Sequence, residues 1–489
     1  MSSSNRAFDG LRAVLLADVL RVTAKGLVIL ALSRVLLSPD EYGLLFLTLS
    51  VLTIVLLFGR LGFEKSTARY VAEYGEREPG QIPHILRTGA IYISVTTVTA
   101  AIALIFFRDW IAALIGEPAL GPLLLVGIAY LIGRTLESFS SAQLQGFNRV
   151  ELSAVIGATD SLAQPLLVIG FVVLGFGVAG ALFGFALSAL LGGLVGVVIL
   201  YTKFYRRREP AEEIESGLRE RLFRYSVPLT FTRGSNVIDK RIDIVLIGVF
   251  LTPAAVGFYT LAKQITEFVI SPAKSLGFTV SPSYGEQKAS DDLERAARTY
   301  ELTFTHTVAL VIPAAAGLII VAEPAVRLVF GEAYVGAAPA LQVLSGLVVV
   351  QSLDKITNDG LDYLGRARER AIAKGVAAVV NIVLNLIFIP LFGIVGAAAA
   401  TVISYSILVA VELYVMYDEL PLDVGRLTRA TGMVGVVTGG MSLAVFVLVP
   451  HVSGLASLFA VIFAGVLVWA VLAELSGVLD LRRIVSAIV

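Results

Sequence analysis

The sequence predicts an all-α polytopic membrane protein with about fourteen transmembrane helices, built as two pseudo-symmetric six-helix lobes plus two C-terminal helices. Three observations carry that expectation. Hydrophobic residues make up 57% of the chain and charged residues only 16%, with a mean hydropathy of +0.85. Such a composition is far too apolar for a water-soluble domain. Apolar runs of spanning length recur along the whole chain with only short polar breaks between them. Finally, short motifs at the turns between runs reappear in the second half in the same order.

Taken in order, the runs fall near 13–36, 42–63, 84–107, 119–142, 152–175 and 179–202. A polar stretch from Lys203 to Arg224 follows. The next set lies near 226–251, 255–281, 300–322, 335–357, 369–390 and 393–416, and a last pair near 427–450 and 454–477. Each run must be helical, because in hydrocarbon a backbone has to satisfy its own polar groups and none of the runs alternates as a barrel strand would. The first run is long enough to span and has no small-residue cleavage site before it, so it is expected to be retained. Gly180 and Gly184, with Gly192 and Gly196, would let the sixth span approach a neighbour closely. The domains expected are a first lobe at 1–202, a cytoplasmic linker at 203–225, a second lobe at 226–416 and an additional helix pair at 417–489.

Lys and Arg concentrate in alternate loops, among them Lys65, Arg69, Arg77, Arg149, Arg206–Arg208, Lys288, Arg366 and Arg426. The other loops hold little beyond Arg108 and Arg327. By the positive-inside rule both termini face the cytoplasm, as an even number of spans requires. This places the protein in the cytoplasmic membrane.

The repeat is read from three matches. SRVLLSPDEYGLLFLTLS from Ser33 aligns with IGVFLTPAAVGFYTLAKQ from Ile247, bringing Pro39 over Pro253 and Gly43 over Gly257. After a one-residue slip Leu61-Gly62-Phe63 matches Leu276-Gly277-Phe278, and LGFGVAGA at 174–181 matches LFGIVGAA at 391–398. Copies with an even number of spans share an orientation and are related by an axis along the membrane normal, an arrangement common in transporters.

These segments, with GRLGFEKSTARYVAEYGE, LQGFNRVELS and NIVLNLIFIPLFGIVGAAAATVISY, resemble the polysaccharide transporter branch of the multidrug/oligosaccharidyl-lipid/polysaccharide flippase superfamily, over essentially the whole chain. The resemblance implies two six-helix lobes that face each other in a V and open alternately to either side. It further implies a flippase that moves polyprenyl-linked oligosaccharide precursors, joined through phosphate or diphosphate, for cell-surface glycan or glycoprotein synthesis. Membrane lipid and glycan-assembly enzymes are the other partners expected.

Charges within spans are costly and should face a watery cavity or a counter-charge. Asp18, Arg21 and Lys25 share one face of span one, and Arg34 lies near its outer end. Arg60 lies in span two, Arg233, Asp239 and Asp243 in span seven, and Lys263 and Lys274 in span eight. If these four spans line a central gap, as the resemblance implies, the cations Arg21, Lys25, Arg34, Arg60, Arg233, Lys263 and Lys274 would suit a diphosphate-sugar headgroup. Arginine bonds phosphate oxygens in pairs and lysine adds a compact charge. Asp18, Asp239 and Asp243 are the candidates for cation or proton coupling. Ion pairing or snorkelling would account for each charge taken singly. Arg134 with Glu137 reads as a structural pair, Asp160 as a lone polar contact, and Asp354, Lys355 and Glu412 as interfacial.

Neither a catalytic nor a metal site is expected. The three histidines are scattered, cysteine is absent, and no nucleotide-binding loop is present. Zero net charge and the lack of a basic block give nucleic acid no footing, and no cofactor is implied. The nearest rival reading is a cation-coupled multidrug exporter of the same superfamily, disfavoured by the two extra spans and the cationic surplus. A polymerase or glycosyltransferase would need a sizeable external loop.

Overall fold

A computed structural model describes residues 19–477, apart from the side chains of 231–233, 235–236, 272, 274–279 and 282. Helices occupy every predicted run within that range, and no strand occurs among the described residues. The chain divides into two compact units, Met1–Val256 and Gly257–Val489.

The first unit starts with α1, helical over 19–31 and running into a π-helical turn at Leu32–Leu36. It continues with α2 (Pro39–Arg60), α3 (Phe63–Arg77), α4 (Ile82–Ile115), α5 (Leu120–Gly146), α6 (Val150–Phe171), α7 (Gly177–Leu200) and α8 (Leu218–Phe250). Ser38 caps α2: its hydroxyl accepts from the Glu41 amide at 3.3 Å and the Glu41 carboxylate accepts from the Ser38 amide at 2.9 Å. Pro39 takes the first helical position, where its missing N–H costs nothing. The matching turn repeats the chemistry, with Thr252 Oγ1 accepting from the Ala255 amide at 3.3 Å and Pro253 opening the next helix. The aligned prolines thus mark two copies of one helix-start signal.

An additional helix appears where the sequence suggested only a loop. Leu61 and Gly62 are left-handed (φ 43° and 71°), and the chain re-enters helix as α3. Phe63, Tyr70, Val71 and Tyr74 recur at helical spacing on its inner face and bury against Ile82, Ile85, Leu86 and Leu222. Ser66 Oγ donates to the Leu222 carbonyl at 2.7 Å and ties α3 to α8. A Cβ on Gly62 would lie 2.9 Å from the Ser226 carbonyl oxygen, so close packing and positive φ both require glycine there.

The polar stretch after α7 is pinned along the same corner. The Ala211 amide donates to the Gly80 carbonyl at 2.8 Å, Gln81 Nε2 to the Glu213 carbonyl at 2.9 Å, and the Glu215 amide to Gln81 Oε1 at 3.1 Å. Tyr74 donates its hydroxyl proton to Glu215, which also pairs with Arg221 at 2.7 Å. These bonds hold the Glu215 carboxyl below the usual carboxylate range, while burial first, then the Glu215 bond, push the Tyr74 phenol up.

α6 and α7 form a hairpin that turns at Gly175 (φ 91°) and Gly177 (φ 51°). A Cβ on Gly184 would lie 2.6 Å from Val168 Cα, and one on Gly192 would lie 3.1 Å from the Ile156 carbonyl. Gly193 meets Leu136 of α5 in the same way at 2.8 Å. The glycine pairs singled out in the sequence do allow the close approach expected of them.

The second unit holds most of α9 (Pro253–Ala289), then α10 (Leu293–Phe330), α11 (Ala338–Tyr363), α12 (Ala367–Glu419), α13 (Val424–Leu448) and α14 (Leu455–Leu475). α12 contains two predicted spans joined at Gly393 (φ 60°, ψ −141°), the position aligned with the α6–α7 turn. Lys288 and Arg366 converge on Glu419 at 2.5 and 2.6 Å and tie the ends of α9, α11 and α12 together. Tyr284, Tyr300, Phe304, Ile356 and Met416 make the core beneath that cluster.

Nine helices among the described residues are long and apolar enough to cross a membrane, and the α6–α7 and α12 hairpins count as one each. α8 and α9, with 33 and 37 residues, have the length to cross. α8 carries Asp239, Lys240, Arg241 and Asp243 within two turns, a density of charge unlike that of a lipid-facing span.

Candidate functional site

Polar chemistry collects inside the first unit along one face of α5. Arg134, Glu137, Ser138, Ser141 and Gln145 recur at three- and four-residue intervals and so project from the same side. Arg134 Nη1 donates to Glu137 Oε2 at 2.7 Å and to Asp160 Oδ2 of α6 at 3.0 Å. Arg60, at the end of α2, donates from Nη2 to the Arg134 carbonyl at 2.6 Å. Arg134 Nε and Asp160 Oδ1 are buried and have no hydrogen bond among the described residues.

Two clefts open onto this face. One, of 440 Å³, is lined by Arg21, Arg134, Glu137, Ser153 and Asp160. The other, of 450 Å³, is lined by Glu64, Lys65, Arg69, Ser138 and Tyr225 from α3, α5 and α8. Ser141 and Gln145 border both, so the clefts adjoin. Ser141 and Ser153 share a 2.6 Å hydrogen bond, and Gln145 Nε2 donates to Ser153 Oγ at 3.2 Å. The Arg69 guanidinium lies 4.1 Å from the Tyr225 ring centre and closes one wall. Guanidinium, ammonium, hydroxyl and amide groups ordered along one surface can bond to phosphate and to sugar hydroxyls alike.

Of the expected site residues, the structure brings Arg21 and Arg60 to this region, Arg21 in the cleft wall and Arg60 against the Arg134 carbonyl. Lys25 is exposed on α1, and Arg34 is exposed in the π-helical turn that ends it. Asp239 is half-buried on α8 and Asp243 fully buried. In the second unit, Lys263 lies on α9 with its ammonium 5.7 Å from the Tyr259 ring centre. Asp18 and the side chains of Arg233 and Lys274 fall outside the described residues.

One reading changes: Asp160 is no lone contact, because Arg134 bridges it to Glu137. The Arg134–Glu137 pair expected from the sequence is present at 2.7 Å, and all three residues line the cleft beside Arg21, a placement the sequence did not indicate. Asp354 and Glu412, expected at the interface, are 3% and 1% exposed in the second unit. α11 runs on to Tyr363, which places Asp354 more than two turns before the helix end. Lys355 pairs with Asp354 at 2.8 Å, whereas neither Glu412 carboxylate oxygen has a hydrogen bond among the described residues.

Comparison with known proteins adds family and fold. Residues 31–339 match the family model described as polysaccharide biosynthesis protein. The probable low-salt glycan biosynthesis flippase Agl15 of Haloferax volcanii is 28% identical over 51% of this chain and 52% of its own length. The probable flippase AglR of the same organism is 26% identical over 54% of each. The chain therefore spans about half the length of these curated relatives. Among solved structures, the lipid II flippase MurJ in an inward closed conformation superposes with a TM-score of 0.76 at 16% identity, covering 96% of this chain and 98% of that one. That likeness establishes a shared fold.

Proposed function

The chain belongs to the polysaccharide biosynthesis protein family, and on that premise we propose that it is a flippase carrying polyprenyl-linked oligosaccharides across the cytoplasmic membrane by alternating access. It acts as a transporter and not as an enzyme. The observation that carries this reading is the polar face of α5, where Arg134, Glu137 and Asp160 meet inside an apolar helical unit and two clefts adjoin. Ionisable groups held within a membrane span mark a pathway for a polar cargo. The names of Agl15, a probable glycan biosynthesis flippase, and AglR, a probable flippase, support a flippase working in glycan biosynthesis.

In this reading all fourteen predicted helices cross the bilayer and the basic loops face the cytoplasm with both termini. Residues 1–202 and 226–416 act as the lobes, 203–225 as the linker, and 417–489 as the additional pair. Arg21, Arg60 and the cleft cations hold the phosphate or diphosphate, with Lys25, Arg34, Arg233, Lys263 and Lys274 extending the positive path. Asp18, Asp239 and Asp243 are the residues through which a cation or proton would couple. The hydrocarbon tail stays in lipid while the headgroup passes.

The test is headgroup accessibility in proteoliposomes containing a fluorescent polyprenyl-diphosphate oligosaccharide. Wild type should move it across, and Arg21→Ala should slow movement about tenfold, as loss of one charge-assisted phosphate bond implies. Rapid uptake of cationic drugs with no movement of the sugar lipid would replace this function with drug export.

A further inference from the structure

We propose that the outer face of the first unit holds a resident anionic glycerophospholipid in a groove between α4 and α7. The groove has a volume of 860 Å³, within the roughly 300–1,000 Å³ of ligand-sized cavities. Exposed Ile91, Val95 and Val98 form one wall, spaced as one stripe of α4, and Val197 and Tyr201 of α7 form the other. Ile132 and Leu136 of α5 make the floor. This apolar trough fits a hydrocarbon chain.

Its end selects the headgroup. Arg87 stands at the rim on the side of the basic loops, exposed and forming no ion pair among the described residues. Across from it Tyr201 and Tyr205 stack with ring centres 5.8 Å apart, where α7 passes into a π-helical turn. Tyrosine is favoured at the membrane-water boundary, so this end lies at headgroup depth, where one arginine attracts a phosphate.

The same geometry separates this lipid from the cargo. The groove takes Ile132, Thr135, Leu136 and Phe139 of α5, while the polar clefts take Arg134, Ser138, Ser141 and Gln145 from the opposite side of that helix. α5 stands between them. A lipid whose headgroup fills the clefts cannot lay its tail in the groove without passing through this helix, so the occupant is a membrane phospholipid and not the carrier.

The experiment uses full-length protein reconstituted with equal phosphatidylglycerol and phosphatidylcholine, extracted in mild detergent, with retained lipid counted by native mass spectrometry. Wild type should keep phosphatidylglycerol in preference. Arg87→Ala should lower that retention about fivefold, the effect of one basic residue near an anionic surface, and Arg87→Lys should restore it. Ser94→Leu, at an exposed groove position, should reduce retention of both lipids, and Arg108→Ala, at the far end of α4, should leave both unchanged. Equal retention of the two lipids by wild type, an equal loss in Arg108→Ala, or wild-type retention in Ser94→Leu would overturn the proposal. Displacement of phosphatidylglycerol by equimolar polyprenyl phosphate would overturn it in favour of the carrier lipid. Retention is read without transport, so failure here and failure of the flippase reading are separate results.

Discussion

In the first unit Leu61-Gly62-Phe63 ends one helix and starts another, whereas the aligned Leu276-Gly277-Phe278 lies inside the unbroken α9. The same three letters give opposite backbones. Glycine allows a left-handed residue but does not demand one, and the neighbours decide. Around Gly62 the decision is made by α8, whose Ser226 carbonyl lies where a side chain would be. The break matters because α3, which follows it, supplies Glu64, Lys65 and Arg69 to the cleft beside Tyr225. The two copies thus differ in path at the shared LGF and in the residues after it, Glu64, Lys65 and Arg69 in the first against Thr279, Val280 and Tyr284 in the second.

The buried charges differ between the units as well, and their response to mutation sharpens the contrast. The largest effect is expected at Arg134. Replacing it with Leu leaves Glu137 and Asp160 without their shared cation and should destabilise the protein by about 3–5 kcal/mol. The triple replacement of Arg134, Glu137 and Asp160 by Leu should recover most of that stability and still not transport. In the second unit Glu412→Gln, which removes a buried carboxylate without hydrogen bonds among the described residues, should leave stability unchanged or raise it by about 1 kcal/mol. Thermal unfolding of the detergent-solubilised variants measures both, and a similar loss in Glu412→Gln would end the distinction.

Next in size is the glycine pair. Gly62→Ala should cost about 1–3 kcal/mol through its left-handed backbone and the contact with Ser226. Gly277→Ala, within a helix, should be neutral or stabilising by up to about 1 kcal/mol. Equal losses would mean that the two loci are alike after all.

The smallest effect concerns the pinned stretch after α7. Glu215 is held below its ordinary pKa, so its contribution is complete above the unfolded value and lost as pH falls through the depressed one. Limited proteolysis within 206–217 should therefore accelerate on acidification below about pH 4. Tyr74→Phe should show faster cleavage at neutral pH and a weaker acid response. Cleavage independent of pH would leave the Tyr74–Glu215–Arg221 cluster without a role in holding this segment.

Much of the fold was legible because lipid leaves the backbone few choices: apolar runs had to be helices, and Ser38-Pro39 with Thr252-Pro253 marked where they begin. The α6–α7 turn at Gly175 and Gly177 and its counterpart at Gly393 could likewise be read as punctuation. α3 is not legible as a span, since its apolar positions, Phe63, Tyr70, Val71 and Tyr74, are diluted by eight polar neighbours. The site was legible only in part. Arg21 and Arg60 stood out as charges in apolar runs, yet the bridging role of Arg134 depends on Asp160 arriving from another helix, a juxtaposition that spacing along the chain does not encode.

The stripe of glycines on α7 has a mechanical consequence. Helices shear past each other by exchanging rotamers in the layer of side chains between them. At Gly184 and Gly192 that layer is missing, and backbone lies directly on backbone. The α6–α7 hairpin is consequently a stiff plank, with no cushion in which to absorb a sliding movement. A change of shape in the first unit should therefore fall outside the hairpin, at joints such as the left-handed pair Leu61-Gly62 or the π-helical turn at Leu32–Leu36.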